Sequence, residues 1–275
     1  MARLPRLYAP GLPQLVQANF VQSLAAPSQP APGDILNQLA GWLGESAQRH
    51  KVAVHGWVLA NDRILLLATP ADEEGLPRLM QTLGRNLAAR LRGGRVFAGR
   101  YRSALLEPGV WVLPALVWLE TYPVRSGASV DPDSWPWSSA ASHTGNTSVP
   151  PTQWQSDHAD YWACGNTPFD RQANYRKRLQ DGLSRDQSQR IEQAVSGQWA
   201  LGGTDFIASL AHTASRRVAP GQRGRPRKKP ATGHEQPDMS PEPAAARGLD
   251  RPGTEPPVAP TDGGAGPHGS GGASR

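Results

Sequence analysis

The chain has 275 residues, with 29 Lys+Arg against 23 Asp+Glu (net +6), 27 prolines and one cysteine. That lone Cys164 excludes an intramolecular disulfide framework and a cysteine-based zinc site, which fits a reducing compartment. The most apolar window, Val110 to Leu119, is too short to span a membrane and contains Pro114, and the opening MARLPRLYAPGLP lacks the apolar stretch of a signal peptide, so a cytoplasmic protein without a membrane partner is expected.

In chain order, Leu15 to Val21 reads as a strand. Asp34 then caps a helix running to about His50, with Ile35, Leu36, Leu39, Trp42 and Leu43 on one face. Val52–Leu59 and Ile64–Thr69 flank the turn residues Asn61 and Asp62, the pattern of a β-hairpin. A second helix from about Asp72 to Leu91 places Leu76, Leu79, Met80, Leu83, Leu87 and Leu91 at helical spacing. A strand around Arg100–Leu106 and an apolar helix around Val110–Tyr122, kinked by Pro114, follow. The order β-α-β-β-α-β-α predicts an α+β domain: a ferredoxin-like antiparallel sheet with helices on one face.

Beyond it the character changes. Ser126–Thr167 is turn-rich yet holds four tryptophans, so it should pack on the domain as irregular chain. Residues 169–214 read as a small helical region, and residues 215–230 as a basic segment. Residues 231–275, with 8 Pro and 9 Gly, cannot bury enough apolar surface to offset the entropy of ordering and should form a disordered tail. The expected units are 1–140, 141–168, 169–214, 215–230 and 231–275. The positive charge is local: Arg216, Arg217, Arg223, Arg225, Arg227, Lys228 and Lys229 form a run with no acid between Asp205 and Glu235. Such a run favours a polyanion through counterion release.

Four ordered islands carry a resemblance: ARLPRLYAPGLP (2–13), HGWVLANDRILLLATP (55–70), FAGRYRSALLE (97–107), and WLETYPVRSG with DPDSWPWSS (118–139). With the helix GLPRLMQTLGR (75–85), residues 2–140 resemble the REP-associated tyrosine transposases of the IS200/IS605-like group. The resemblance implies a homodimer and a DNA partner, single-stranded or hairpin repeat DNA. It also implies paired histidines at i and i+2 on a strand, which hold a divalent cation, and a helix tyrosine that attacks the scissile phosphate.

Here the histidine positions are Asp62 and Ile64, and the nucleophile position is Trp118. Asp62 could ligate a hard cation, but Ile64 cannot, and indole has no oxygen with which to form the phosphodiester intermediate. The expectation is therefore no catalytic residue, no metal ligand pair and no cofactor. Mg²⁺ or Mn²⁺ enters only if the chain is a divergent enzyme using Tyr122, one helical turn from Trp118, together with Asp62. Arg85, Arg100, Arg102 and Arg125 are candidate phosphate contacts, joined by Arg90, Arg92 and Arg95. Arg223-Gly224-Arg225-Pro226, followed by Arg227 and Lys228, matches the core of an AT-hook, whose thin backbone lets arginines enter a narrow minor groove. Three readings stand: a DNA-binding protein that no longer cleaves, a divergent transposase, and a dimeric scaffold that binds no nucleic acid.

Overall fold

The computed structural model describes residues 5–26, 29–150, 152–214 and 216–221. The basic residues Arg223, Arg225, Arg227 and Lys228 and the expected tail lie outside the described residues.

Four strands form one antiparallel sheet: β1 (Gln14–Asn19), β2 (Val52–Leu59), β3 (Arg63–Pro70) and β4 (Arg102–Leu105), in the order β2-β3-β1-β4. Helix α1 (Gly33–Arg49) joins β1 to β2, and α2 (Gly75–Leu91) joins β3 to β4. This is the ferredoxin-like strand order the pattern predicted.

In β3, Ile64, Leu65, Leu66, Leu67 and Ala68 are all fully buried. Successive strand residues point to opposite faces, so both faces of the sheet are covered. A Cβ placed on Gly56 would meet Leu116 of α3 (Val112–Glu120), and Gly56 pairs with Leu67. Arg63, Leu65 and Leu67 therefore face α3, while Ile64, Leu66 and Ala68 face the α1–α2 layer. Helix α8 (Arg185–Gly197) joins α3 on its side of the sheet, against β4 and β1. Helices therefore cover both faces of the sheet rather than the one expected, because α3 and α8 pack opposite α1 and α2.

Two local expectations are corrected. Asp34 does not cap α1: Pro32 holds that position, and the Asp34 carboxylate accepts instead from Arg90 Nη2 at 2.6 Å. Pro114 does not kink α3, because the helix begins at Val112 and Pro114 falls in its first turn, where the backbone N–H has no intrahelical partner to lose. The helix instead ends at Glu120, and a short α4 (Tyr122–Arg125) follows.

The tryptophan-rich segment protects the β2 edge. Ser139 N donates to Trp57 O and Leu59 N to Trp137 O, both at 2.9 Å, and Trp135 Nε1 donates to Leu59 O. Beyond it lie α5 (Ala140–Thr144), α6 (Ala159–Trp162), α7 (Pro168–Asp181) and, after α8, α9 (Thr204–Thr213). The outer edge of β4 is met by Leu201, whose N–H donates to Leu105 O at 2.8 Å.

Candidate nucleic-acid interface

The site forms where the β2–β3 turn meets the α3–α4 junction. Arg63, first residue of β3, shares a sheet face with Gln17 and Asn19 of β1 and Arg102 of β4, because Asn19 pairs with Arg63 and Gln17 with Arg102. Trp118 and Tyr122 approach from α3 and α4, separated by one helical turn. Arg125 reaches back over the Trp118 ring (4.9 Å) and donates to the Trp118 carbonyl. Arg63 sits 4.6 Å from the Tyr122 ring centroid. Gln17, Arg63, Arg102, Trp118, Tyr122 and Arg125, with Gln189, Glu192, Gln193 and Ser196 of α8, line a cavity of about 480 Å³.

Its charge is only partly balanced. Arg63 pairs with Asp62 at 2.8 Å, and Arg125 faces Glu192 at 3.9 Å. Arg102 Nη1 donates to the Ser196 carbonyl and has no carboxylate partner among the described residues. Burial pulls the Arg125 guanidinium below its ordinary range, opposed by Glu192. The Trp118 indole Nε1–H is buried with no acceptor among the described residues.

Tyr122 meets Asp62 on one side and lines the arginine cavity with Trp118 on the other. The Tyr122 hydroxyl donates to Asp62 Oδ2 at 2.7 Å. Burial first, then the Asp62 hydrogen bond and charge, push this phenol well above the ordinary tyrosine range. Ile64, however, is fully buried and turned to the α1–α2 side, so the two positions proposed from sequence do not share the site face.

The residues do not fit a divalent cation. Asp62 Oδ2 is held by a guanidinium and a hydroxyl, the neighbouring strand positions on the site face are Arg63 and Leu65, and no three His, Cys, Asp or Glu gather in a ligand set among the described residues. His55 is spent elsewhere, between the Ser156 carbonyl (2.6 Å) and the Thr69 hydroxyl (2.8 Å), with burial lowering its pKa to about 4.

The four candidate arginines of the folded part divide into two sets. Arg102 and Arg125 line the α3-side cavity. Arg85 and Arg100 line, with Arg95 and Phe97, a separate groove of about 570 Å³ beside α2. Arg90 is engaged with Asp34 and Gln38. The sequence reading missed Arg63, Gln17 and the α8 residues. Arg63 was discoverable from strand alternation, whereas α8 arrives from distant chain.

A buried polar knot fixes the α3 end of the site. Glu120, fully buried, accepts from Ser139 Oγ (2.5 Å), His143 Nδ1 (2.6 Å) and the Tyr175 hydroxyl (2.6 Å). The far ring nitrogen of His143 lies 3.5 Å from Asp157 Oδ1. Burial alone would lower the His143 pKa, but Glu120, aided by Asp157, raises it to about 9. These contacts favour the imidazolium and tie α5, the segment before α6, and α7 to α3.

No protein-family model and no curated protein matches the chain. Among solved structures, a REP-associated tyrosine transposase bound to a REP hairpin is similar to it over 57% of this chain and 93% of that one, with 13% identity and a TM-score of 0.45. Among the described residues, no helix is long and apolar enough to cross a membrane.

Proposed function

We propose that the chain is a DNA-binding protein that holds a phosphodiester backbone without cleaving it. The observation that carries this reading is the cavity where Arg63, Arg102 and Arg125 converge beside Trp118 and Tyr122. Guanidinium forks match phosphate geometry, and Arg102 supplies charge that no carboxylate among the described residues cancels. The sequence islands that resemble the REP-associated tyrosine transposases point the same way, and the homodimer implied by that resemblance belongs to the same proposal.

Cleavage needs an activated oxygen nucleophile and, in that family, a metal held by two imidazoles. By the resemblance, the indole of Trp118 stands at the nucleophile position and Asp62 and Ile64 at the ligand positions, which supply neither. A second reading draws on the Tyr122–Asp62 contact, with Asp62 as base and Tyr122 as nucleophile. Burial and the adjacent carboxylate both disfavour the phenolate, which weighs against it.

Arg102→Ala should weaken binding of a single-stranded oligonucleotide about tenfold and lower the slope of log affinity against log salt by about 0.7. Anisotropy titrations at several salt concentrations read both quantities. An unchanged slope in a variant with wild-type circular dichroism would remove this cavity from the interface, and failure of the wild-type chain to bind would favour the scaffold reading.

A further inference from the structure

Beside α2, two hollows of about 530 and 570 Å³ share Met80, Gln81, Phe97, Gly99 and Arg100 and so form one groove. One bank is α2 itself, and the other is the chain from Gly94 to Tyr101 with Arg6 beside it. Helix α2 lies on the sheet face of Ile64 and Leu66, whereas the arginine cavity lies on that of Arg63, so the sheet stands between the two.

The groove gathers positive charge that is not cancelled. Arg6, Arg78, Arg85, Arg95 and Arg100 line it against a single carboxylate, Glu74, which Arg78 holds. Arg85 donates to the Thr82 hydroxyl and Arg95 to the Phe97 and Ala98 carbonyls, neutral partners that leave each charge in place. Arg100 is exposed. Burial, helped by the like charge of Arg100, pulls the Arg6 guanidinium below its ordinary range against the opposing Tyr101. Charge spread along a groove in this way favours an extended polyanion over a single small anion.

Two features select the polyanion. Every cation is an arginine, whose fork matches phosphate. The rings that line the groove are already engaged: Phe97 stacks on Phe20 with centroids 5.8 Å apart and lies against Gly84, and Tyr101 is buried beneath Arg6. No ring of the described lining is left open for an unstacked base, the usual anchor of a single strand. A duplex keeps its bases stacked inside and offers phosphates alone.

Resting on the DNA-binding reading, we propose that the α2 groove binds the phosphate backbone of duplex DNA without reading its sequence, separately from the strand held in the arginine cavity. One chain thus holds a duplex and a single strand at the same time, one on each side of its sheet.

The test uses the full chain with a labelled duplex of arbitrary sequence and a labelled thymidine strand, followed by fluorescence anisotropy across a salt series. Arg85→Ala/Arg100→Ala should weaken duplex binding about tenfold and lower its salt slope by about 1.8, at about 0.9 per phosphate. Thymidine-strand binding should stay as in the wild type, and Arg102→Ala should show the converse pattern. The duplex loss should persist with unlabelled thymidine strand in saturating excess. Unchanged duplex affinity and slope in the double variant would remove the groove from DNA. Equal losses for duplex and thymidine strand, or disappearance of the duplex loss under excess thymidine strand, would overturn the separate site and leave DNA binding intact. Polyglutamate that displaced the duplex as readily as unlabelled duplex does would make the groove a site for acidic protein instead. Absence of salt-sensitive binding to either DNA would overturn both this site and the DNA-binding reading.

Discussion

Glu120→Ala should destabilise the fold by about 3–5 kcal/mol, the penalty for leaving a buried charge without its partner. The substitution strips the counterion from His143 and the acceptor from the Ser139 and Tyr175 hydroxyls, all in water-excluded surroundings. It acts on the cavity end of α3, so Trp118 and Tyr122 lose their anchorage as well. Urea unfolding at neutral pH reads the loss, and a change below about 1 kcal/mol would mean the network is not closed in solution.

The same network sets a pH dependence. His143 titrates at about 9 in the fold against 6.5 when free. Its contribution is therefore complete below about pH 6.5 and is lost as pH rises through about 9, amounting to about 3 kcal/mol. Asp157, whose pKa is lowered by hydrogen bonding and charge from His143 despite the opposing effect of burial, contributes in the opposite sense, losing its share as pH falls. Glu120→Gln keeps the shape but removes the charge that holds the imidazolium, so the alkaline loss of stability should flatten in that variant.

Truncation after Val218 should weaken single-stranded DNA binding by about a hundredfold at 0.1 M salt and visibly flatten its salt dependence. The cut removes Arg223, Arg225, Arg227, Lys228 and Lys229 but keeps Val218, which packs with Leu7, Leu105, Ala200 and Leu210 and accepts from Ala200 N at 2.8 Å. The folded part should therefore survive. Arg216, the first residue of the run, donates to Gln198 O, two residues beyond the Ser196 carbonyl that binds Arg102. Each single-strand phosphate the run neutralises should add about 0.7 to the salt slope. Identical slopes for full-length and truncated chains would show that the run does not touch DNA.

Much of the fold was legible because hydrophobic period reports secondary structure directly. The apolar runs 52–59 and 64–69 on either side of Asn61 and Asp62, and the leucine spacing of 76–91, defined the hairpin and α2. The order of elements then left little choice of topology. Less of the site could be read. Which strand residues face α3 depends on where the hairpin turn closes, and a shift of one residue exchanges Ile64 for Arg63. The Glu120 knot was invisible because its members lie 19, 23 and 55 residues from Glu120 and carry no local pattern. The role of α8 depends on tertiary placement in the same way. Arg85 and Arg100, grouped with Arg102 and Arg125 by composition, are separated once the sheet stands between α2 and α3.

Incubation of the full chain with labelled single-stranded repeat DNA and Mn²⁺, resolved on a denaturing gel, addresses strand cleavage most directly. The label should run entirely as free, full-length oligonucleotide, although a native gel of the same mixture shows a retarded complex. A denaturant-resistant protein–DNA band that disappears with Tyr122→Phe would contradict the account.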